Sequence, residues 1–203
     1  MPNKLKEKPS EKLLKKFLFV NSLIYIELSV LEINIKESLT SVLQSALGPD
    51  WLTQEITNPR IPLFKEEAAL IRKRKSQYFI LTDKKFLEET SLGFWVELFN
   101  RETYKQLKGA PIKAFEHRSA VVKRNDIYRV FKNVKDLRND IVHNRLPLGQ
   151  KKETDLLLLK RLQQADQEIR MLISYINPSA LRLLPGNFDK KIREIEKIVG
   201  AEY

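Results

Sequence analysis

Residues 137–147, LRNDIVHNRLP, close an amphipathic segment that reaches back to about residue 118. At 100° per residue, Ile127, Val130, Phe131, Val134, Leu137, Ile141 and Val142 share one face, the spacing of a helix that turns that face to a core. Arg138 falls inside the same stripe. A guanidinium is costly to desolvate, so an arginine there calls for an anionic partner or an interface that leaves it partly wet. Asn139 and His143, one turn apart, project together from the neighbouring face. Pro147 disfavours helical geometry at Leu146, so the helix stops just past His143. A guanidinium, a carboxamide and an imidazole thus gather at one helix end.

The same periodicity extends in both directions. A first helix is predicted over residues 13–47, stopped by Gly48 and Pro49, with Ile24, Leu28, Leu31, Ile35, Leu39, Val42 and Ala46 as its core stripe. Glu32 lies inside that stripe. Two charges of opposite sign on apolar faces predict that Glu32 meets Arg138, and that the helices over 13–47 and 118–144 are the longest and pack together. A Pro-rich loop over 48–64 allows one short turn at 51–56, and a helix over 65–75 ends in Arg72, Lys73, Arg74 and Lys75. Residues 76–81 read as one extended segment, and Thr82 or Asp83 caps the next turn. Ser91 caps LGFWVELFNRETYKQL, where Phe94, Trp95, Leu98, Phe99 and Tyr104 form an aromatic core stripe. Gly109 to Pro111 makes a turn before the central helix. Thr154 is placed as the cap of a helix over 156–176, halted by Asn177 and Pro178, with Leu158, Leu162, Ala165, Ile169, Leu172, Ile173 and Ile176 inward. A short last helix over 189–199 reads as an exposed cap. With no alternating strand pattern and no repeat, the prediction is a single-domain all-α bundle over 13–203 behind a basic leader of residues 1–12.

Composition narrows the functional classes. The 203 residues carry 37 Lys and Arg against 26 Asp and Glu, a net charge of +11, and an isoelectric point near 9.7. That balance favours an anionic partner, with nucleic acid ahead of membrane. Residues 101–145 hold 12 basic and 5 acidic side chains, so +7 of the excess surrounds Arg138 and His143. The run LLKKFLFVNSLIYIELSVLEINI is apolar enough to raise a membrane helix, but Lys15, Lys16, Glu27, Glu32 and Asn34 interrupt it, and it reads as a core helix. The absence of cysteine rules out disulfides and thiolate metal sites and fits a reducing, cytoplasmic setting. Only His117 and His143 are available, so a multi-histidine metal site within one chain is excluded. No phosphate-loop, HExxH, GxSxG or GxGxxG pattern is present, and no cofactor is called for.

RNDIVH matches the R-N-x3-H signature of HEPN domains, an all-α superfamily with many ribonucleases. The chain resembles their Abi-like, abortive-infection branch. LEINIKESL (31–39) is similar to that branch's first-helix motif, LGFWVELF (92–99) to its "fGfWv.lF" segment, and LRNDIVHNRLP to its "lRNriaHhepi" segment, in the right order. Lys36 and Glu37 stand where the first-helix motif usually carries Arg-Asn, and Asn144 stands where a second histidine often follows.

The resemblance implies a HEPN-like bundle and a metal-independent endoribonuclease whose site is completed by homodimerisation, Arg138 and His143 coming from each subunit. It further implies RNA as substrate, a toxin-like role in antiviral defence, and a restraining antitoxin or regulatory protein as an additional partner. The residues suit the chemistry. Attack by the RNA's own 2′-hydroxyl needs proton transfer near neutral pH, which an imidazole supplies, and charge stabilisation at the phosphorane, which a guanidinium supplies. Asn139 would orient imidazole or phosphate, with Glu32 and Asn144 supporting. A helix C-terminus interacts favourably with a cation, which suits His143 to the acid role. Lys123, Arg124, Lys135, Arg145 and the Arg72 to Lys75 run are the candidate RNA-phosphate contacts. The competing class is a non-catalytic RNA-binding or partner-binding bundle, with Arg138 a structural ion and His143 a helix cap.

Overall fold

In the computed structural model, residues 9–75, 78–143, 145, 146, 148 and 151–202 are described, and among them there are helices and turns but no strand. The chain is all-α, as the periodicity predicts. Helix α1, Glu11–Leu47, begins where the Ser10 hydroxyl accepts the Leu13 N–H at 3.1 Å. It ends at Gly48, whose φ of 101° leaves the helical region. There follow α2 (Trp51–Thr57), α3 (Pro62–Arg74), α4 (Asp83–Glu89), α5 (Leu92–Glu97), α6 (Arg101–Gln106), a 3-10 turn (Ala110–Ala114), α7 (Arg124–Val142), α8 (Lys152–Ile176), a second 3-10 turn (Pro178–Leu183) and α9 (Phe188–Glu202). Residues 1–8 of the predicted leader, and residues 76 and 77 of the predicted extended segment, lie outside the described residues.

The core is built on α1, α8 and α9, which pack against one another; α7 lies on α8 and α5 and touches α1 more lightly. This corrects the expected pairing: the second-longest helix is α8, with 25 residues, and α7 has 19 because residues 118–123 turn instead of coiling. Helix α9 is no exposed cap. Ile192, Ile195 and Val199 are buried, so its i, i+3, i+7 face closes the core beside α1 and α8. The LGFWVELFNRETYKQL segment is two helices, because the Asn100 side chain accepts the Glu102 N–H at 3.1 Å and starts α6 afresh. The α8 stripe is buried as predicted, although Lys151 occupies the N-cap position where Thr154 was expected.

Aromatic packing fixes α7. Phe131 meets Phe99 and Phe115 edge-on, each at 5.5 Å between ring centroids, and Phe99 and Phe115 are themselves 5.5 Å apart. The α5 backbone comes close at Gly93, where an added Cβ would sit 3.8 Å from the Lys135 stem. The rings set how α7 lies over the bundle, and hence where its C-terminal end points.

Helix α1 buries a different charge from the one its wheel suggested. Glu32 forms an ion pair with Lys36 of its own helix at 3.0 Å, both partly exposed, so the expected Glu32–Arg138 pair is not formed. The buried carboxylate is Glu27, held at 2.5 Å by Arg170 of α8, which also binds Asp166 at 2.7 Å and the Pro185 carbonyl at 2.6 Å. Burial, then the neighbouring Asp166, pushes the Glu27 carboxyl up to about 8 despite Arg170. Its second oxygen, Oε2, has no hydrogen-bond partner. Among the described residues, the face of α1 opposite the core stays uncovered: Leu18, Tyr25, Ile26 and Ile33 are 45–57% exposed. By length and composition alone, α1 is apolar enough to cross a membrane, and it is also a core helix along its Leu13-to-Leu43 stripe.

Candidate functional site

The α7 stripe runs inward through Ile127, Val130, Phe131, Val134 and Leu137, and then opens. Ile141 is half-buried and Val142 is exposed, so the core contact ends one turn before the helix does. His143 is the C-cap, its N–H donating to the Asn139 carbonyl at 3.0 Å, and the Arg145 N–H reaches the Asp140 carbonyl at 2.8 Å. These bonds tie the residues after α7 back onto its last turn. Asn144 and Pro147 lie outside the described residues.

Arg138 and Asn139 are half-buried and the His143 ring is exposed, so the three named groups share the last turn and a half of one helix. Among the described residues no carboxylate forms an ion pair with Arg138. The acidic neighbour on that turn, Asp140, is engaged by Arg161 of α8 at 2.7 Å. Asp136 pairs with Lys135 at 3.6 Å. The two α7 carboxylates nearest Arg138, Asp136 and Asp140, thus pair with other cations.

Two grooves flank this helix end. On the α1 side, Pro9, Leu14, Phe17, Leu18 and Asn21 face Ile141, Leu146 and Leu148 across an apolar groove of about 240 Å³. Asn21 Oδ1 is buried there without a hydrogen-bond partner. On the α8 side, Asn133, Asp136, Arg161, Gln164 and Glu168 line a polar groove of about 250 Å³. In it, Glu168 accepts hydrogen bonds from Asn133 at 3.1 Å and Gln164 at 2.8 Å.

The other predicted cations divide sharply. Lys135 and Arg145 lie near the Arg138 end. Lys123 and Arg124 sit at the opposite end of α7, roughly 21 Å from Arg138 along the helix. Both are committed there: Lys123 donates to the Ala120 carbonyl at 2.7 Å, while Arg124 bonds the Phe99 carbonyl and Asn125 and lies over the Tyr104 ring. The Arg72 to Lys75 run is mostly spent within the fold. Arg72 reaches the Ile56 carbonyl at 3.4 Å, Arg74 the Leu70 carbonyl at 3.4 Å, and Lys75 pairs with Glu89 at 2.6 Å. Lys73 alone of the four is exposed with no such bond. Glu32 serves Lys36, as above, and so stands outside the Arg138 site.

The sequence reading missed Asn21, Asp140 and Arg161. Asp140 and Arg161 are polar residues on polar faces, whose pairing exists only once α7 lies on α8. Comparison with protein-family models, curated proteins and solved structures finds no match to this chain.

Proposed function

We propose that the chain is a metal-independent endoribonuclease acting through Arg138, Asn139 and His143, in keeping with its resemblance to Abi-like HEPN proteins, and that a second copy completes its cleft. The observation that carries the reading is a half-buried guanidinium with no carboxylate partner among the described residues, about a turn and a half from an exposed imidazole at the same helix end. A structural arginine at the edge of a core is normally neutralised, as Arg170 is by Asp166. Arg138 is the contrast.

The chemistry follows from these groups. The ribose 2′-oxygen attacks the adjacent phosphorus, its proton passing to a neutral imidazole, while the P–O5′ bond breaks and a protonated imidazole returns a proton to O5′. Two copies supply two imidazoles, so one acts as base and the other as acid. Arg138 offers paired N–H donors to the non-bridging oxygens as negative charge builds on the phosphorane. The Asn139 carboxamide orients the imidazole or the phosphate by hydrogen bonding. The products are a 2′,3′-cyclic phosphate and a 5′-hydroxyl. The same resemblance makes an antiviral, abortive-infection role the proposed setting.

The test is cleavage of a single-stranded RNA in EDTA beside the same oligonucleotide with one 2′-deoxy substitution at the cut position. The proposal expects cyclic-phosphate ends from the first and no cut at the substituted position in the second. Cleavage that ignores the missing 2′-hydroxyl contradicts it.

A further inference from the structure

On the uncovered face of α1, six residues fall within an arc of roughly 100°: Leu18, Ser22, Tyr25, Ile26, Ser29 and Ile33. Their spacing is 4, 3, 1, 3, 4, which reads the same in both directions about the point between Tyr25 and Ile26. We propose that this strip pairs antiparallel with the same strip of a second copy of the chain, Leu18 against Ile33, Ser22 against Ser29 and Tyr25 against Ile26.

A two-fold interface must be self-complementary, and a palindromic strip is the one-dimensional form of that requirement. Charge points to the same occupant. Copies of a +11 chain repel, so contact is favoured where charge is absent. From residue 17 to residue 31 the only ionisable side chain besides Tyr25 is Glu27, which faces the core. The serines suit burial as well as the apolar side chains do. Ser22 donates to the Phe19 carbonyl at 2.6 Å and Ser29 to the Tyr25 carbonyl at 2.8 Å, so neither hydroxyl loses a hydrogen bond when covered, and both leave room for close helix approach. Leu18, Tyr25, Ile26 and Ile33 are 45–57% exposed. At about half of a large side chain's area each, they offer roughly 400 Å² per copy, the size of a weak or transient pair.

The pairing has a consequence for the cleft, and that consequence rests on the ribonuclease reading. The two-fold axis of a face-to-face antiparallel pair runs across both helices, so whatever flanks one side of α1 stands on the same side in the partner. One flank of α1 is taken by α8 and α9, through Glu27 to Arg170 and Lys16 to Glu194. The other carries the end of α7, across the groove of Leu14, Leu18, Ile141 and Leu146. Both α7 ends therefore lie on the same side of the dimer, their contacts on α1 roughly 25 Å apart along the helices.

The chain has no cysteine, which makes a disulfide map unambiguous. Ser22→Cys and Ser29→Cys single variants of the full chain are oxidised separately and as a mixture. The proposal expects crosslinked dimer from the mixture and not from either variant alone, because like positions lie roughly 10 Å apart along the helices, beyond disulfide reach. Crosslinking of one variant with itself, or none in the mixture, overturns the register. In sedimentation velocity the wild type should be a dimer at micromolar concentration, and Tyr25→Glu should weaken it by about 10²-fold or more with unchanged far-ultraviolet dichroism. A monomeric wild type, or one that floats with lipid vesicles instead of dimerising, overturns the pairing. An intact dimer that cleaves no RNA leaves the pairing standing and removes the ribonuclease reading.

Discussion

The substitution Glu27→Gln tests the buried charge at the centre of the bundle. Glu27 is fully buried, and its carboxyl is raised from an ordinary 4.5 to about 8, by desolvation first and by Asp166 second. Between those two pH values the folded protein holds a proton that the unfolded chain has released. Stability from this group is therefore fully present below about pH 4.5 and is lost as pH rises through about 8. At 1.36 kcal/mol per pH unit, the interval corresponds to a loss of roughly 5 kcal/mol. Glutamine keeps an acceptor for Arg170, gives the unpartnered Oε2 position a donor, and carries no charge to desolvate. Urea midpoints followed by dichroism at pH 5, 6.5 and 8.5 should show the variant gaining on wild type with pH, by roughly 2–5 kcal/mol at the top of the range. Wild-type and variant curves that run parallel across this range would refute the reasoning.

Three further outcomes follow from the same contacts. Arg170→Ala removes the cation held between Asp166 and Glu27 and should cost about 3–5 kcal/mol in chemical denaturation at pH 7. Asn100→Ala removes the cap that separates α5 from α6 and should cost about 1 kcal/mol in the same assay. Arg138→Ala should abolish RNA cleavage at a stability cost below about 1 kcal/mol, since no described carboxylate depends on it; a loss of several kcal/mol would show the guanidinium to be structural.

The legible part of the fold is the part where one face is apolar and the others are not. Helix α8 and the Ile127-to-Leu137 stretch of α7 are of this kind, and their buried residues match the wheel. Helix α1 matches at Ile24, Leu28, Leu31, Ile35 and Leu39, but Val42 is half-buried and Ala46 exposed, because its outer face carries Leu18, Tyr25, Ile26 and Ile33 and blurs the phase. At 100° per residue Glu27 lies closer than Glu32 to the centre of the observed core arc, yet both sit among apolar neighbours in sequence, and the wheel alone favoured the wrong one. The error at α9 has the same origin, since a short helix rich in charge conceals a core face of Phe188, Ile192, Ile195 and Val199. For the candidate site, the identities of Arg138, Asn139 and His143 and their shared helix end were readable from spacing. That Arg138 lacks a carboxylate partner was not readable, because it depends on Arg161 capturing Asp140 and Lys36 capturing Glu32. The basic runs misled for a general reason: charge at a helix terminus is often consumed by carbonyls and ring faces, as at Arg72, Arg74 and Arg124.

The most direct test of the central claim compares wild type with His143→Ala on one single-stranded RNA in EDTA, with RNA binding measured beside cleavage. Because His143 is exposed at a helix cap, its removal leaves the bundle and the surrounding cations in place. The account predicts that cleavage falls by about 10²-fold or more while binding stays within a few-fold of wild type. Cleavage by His143→Ala at the wild-type rate would contradict it.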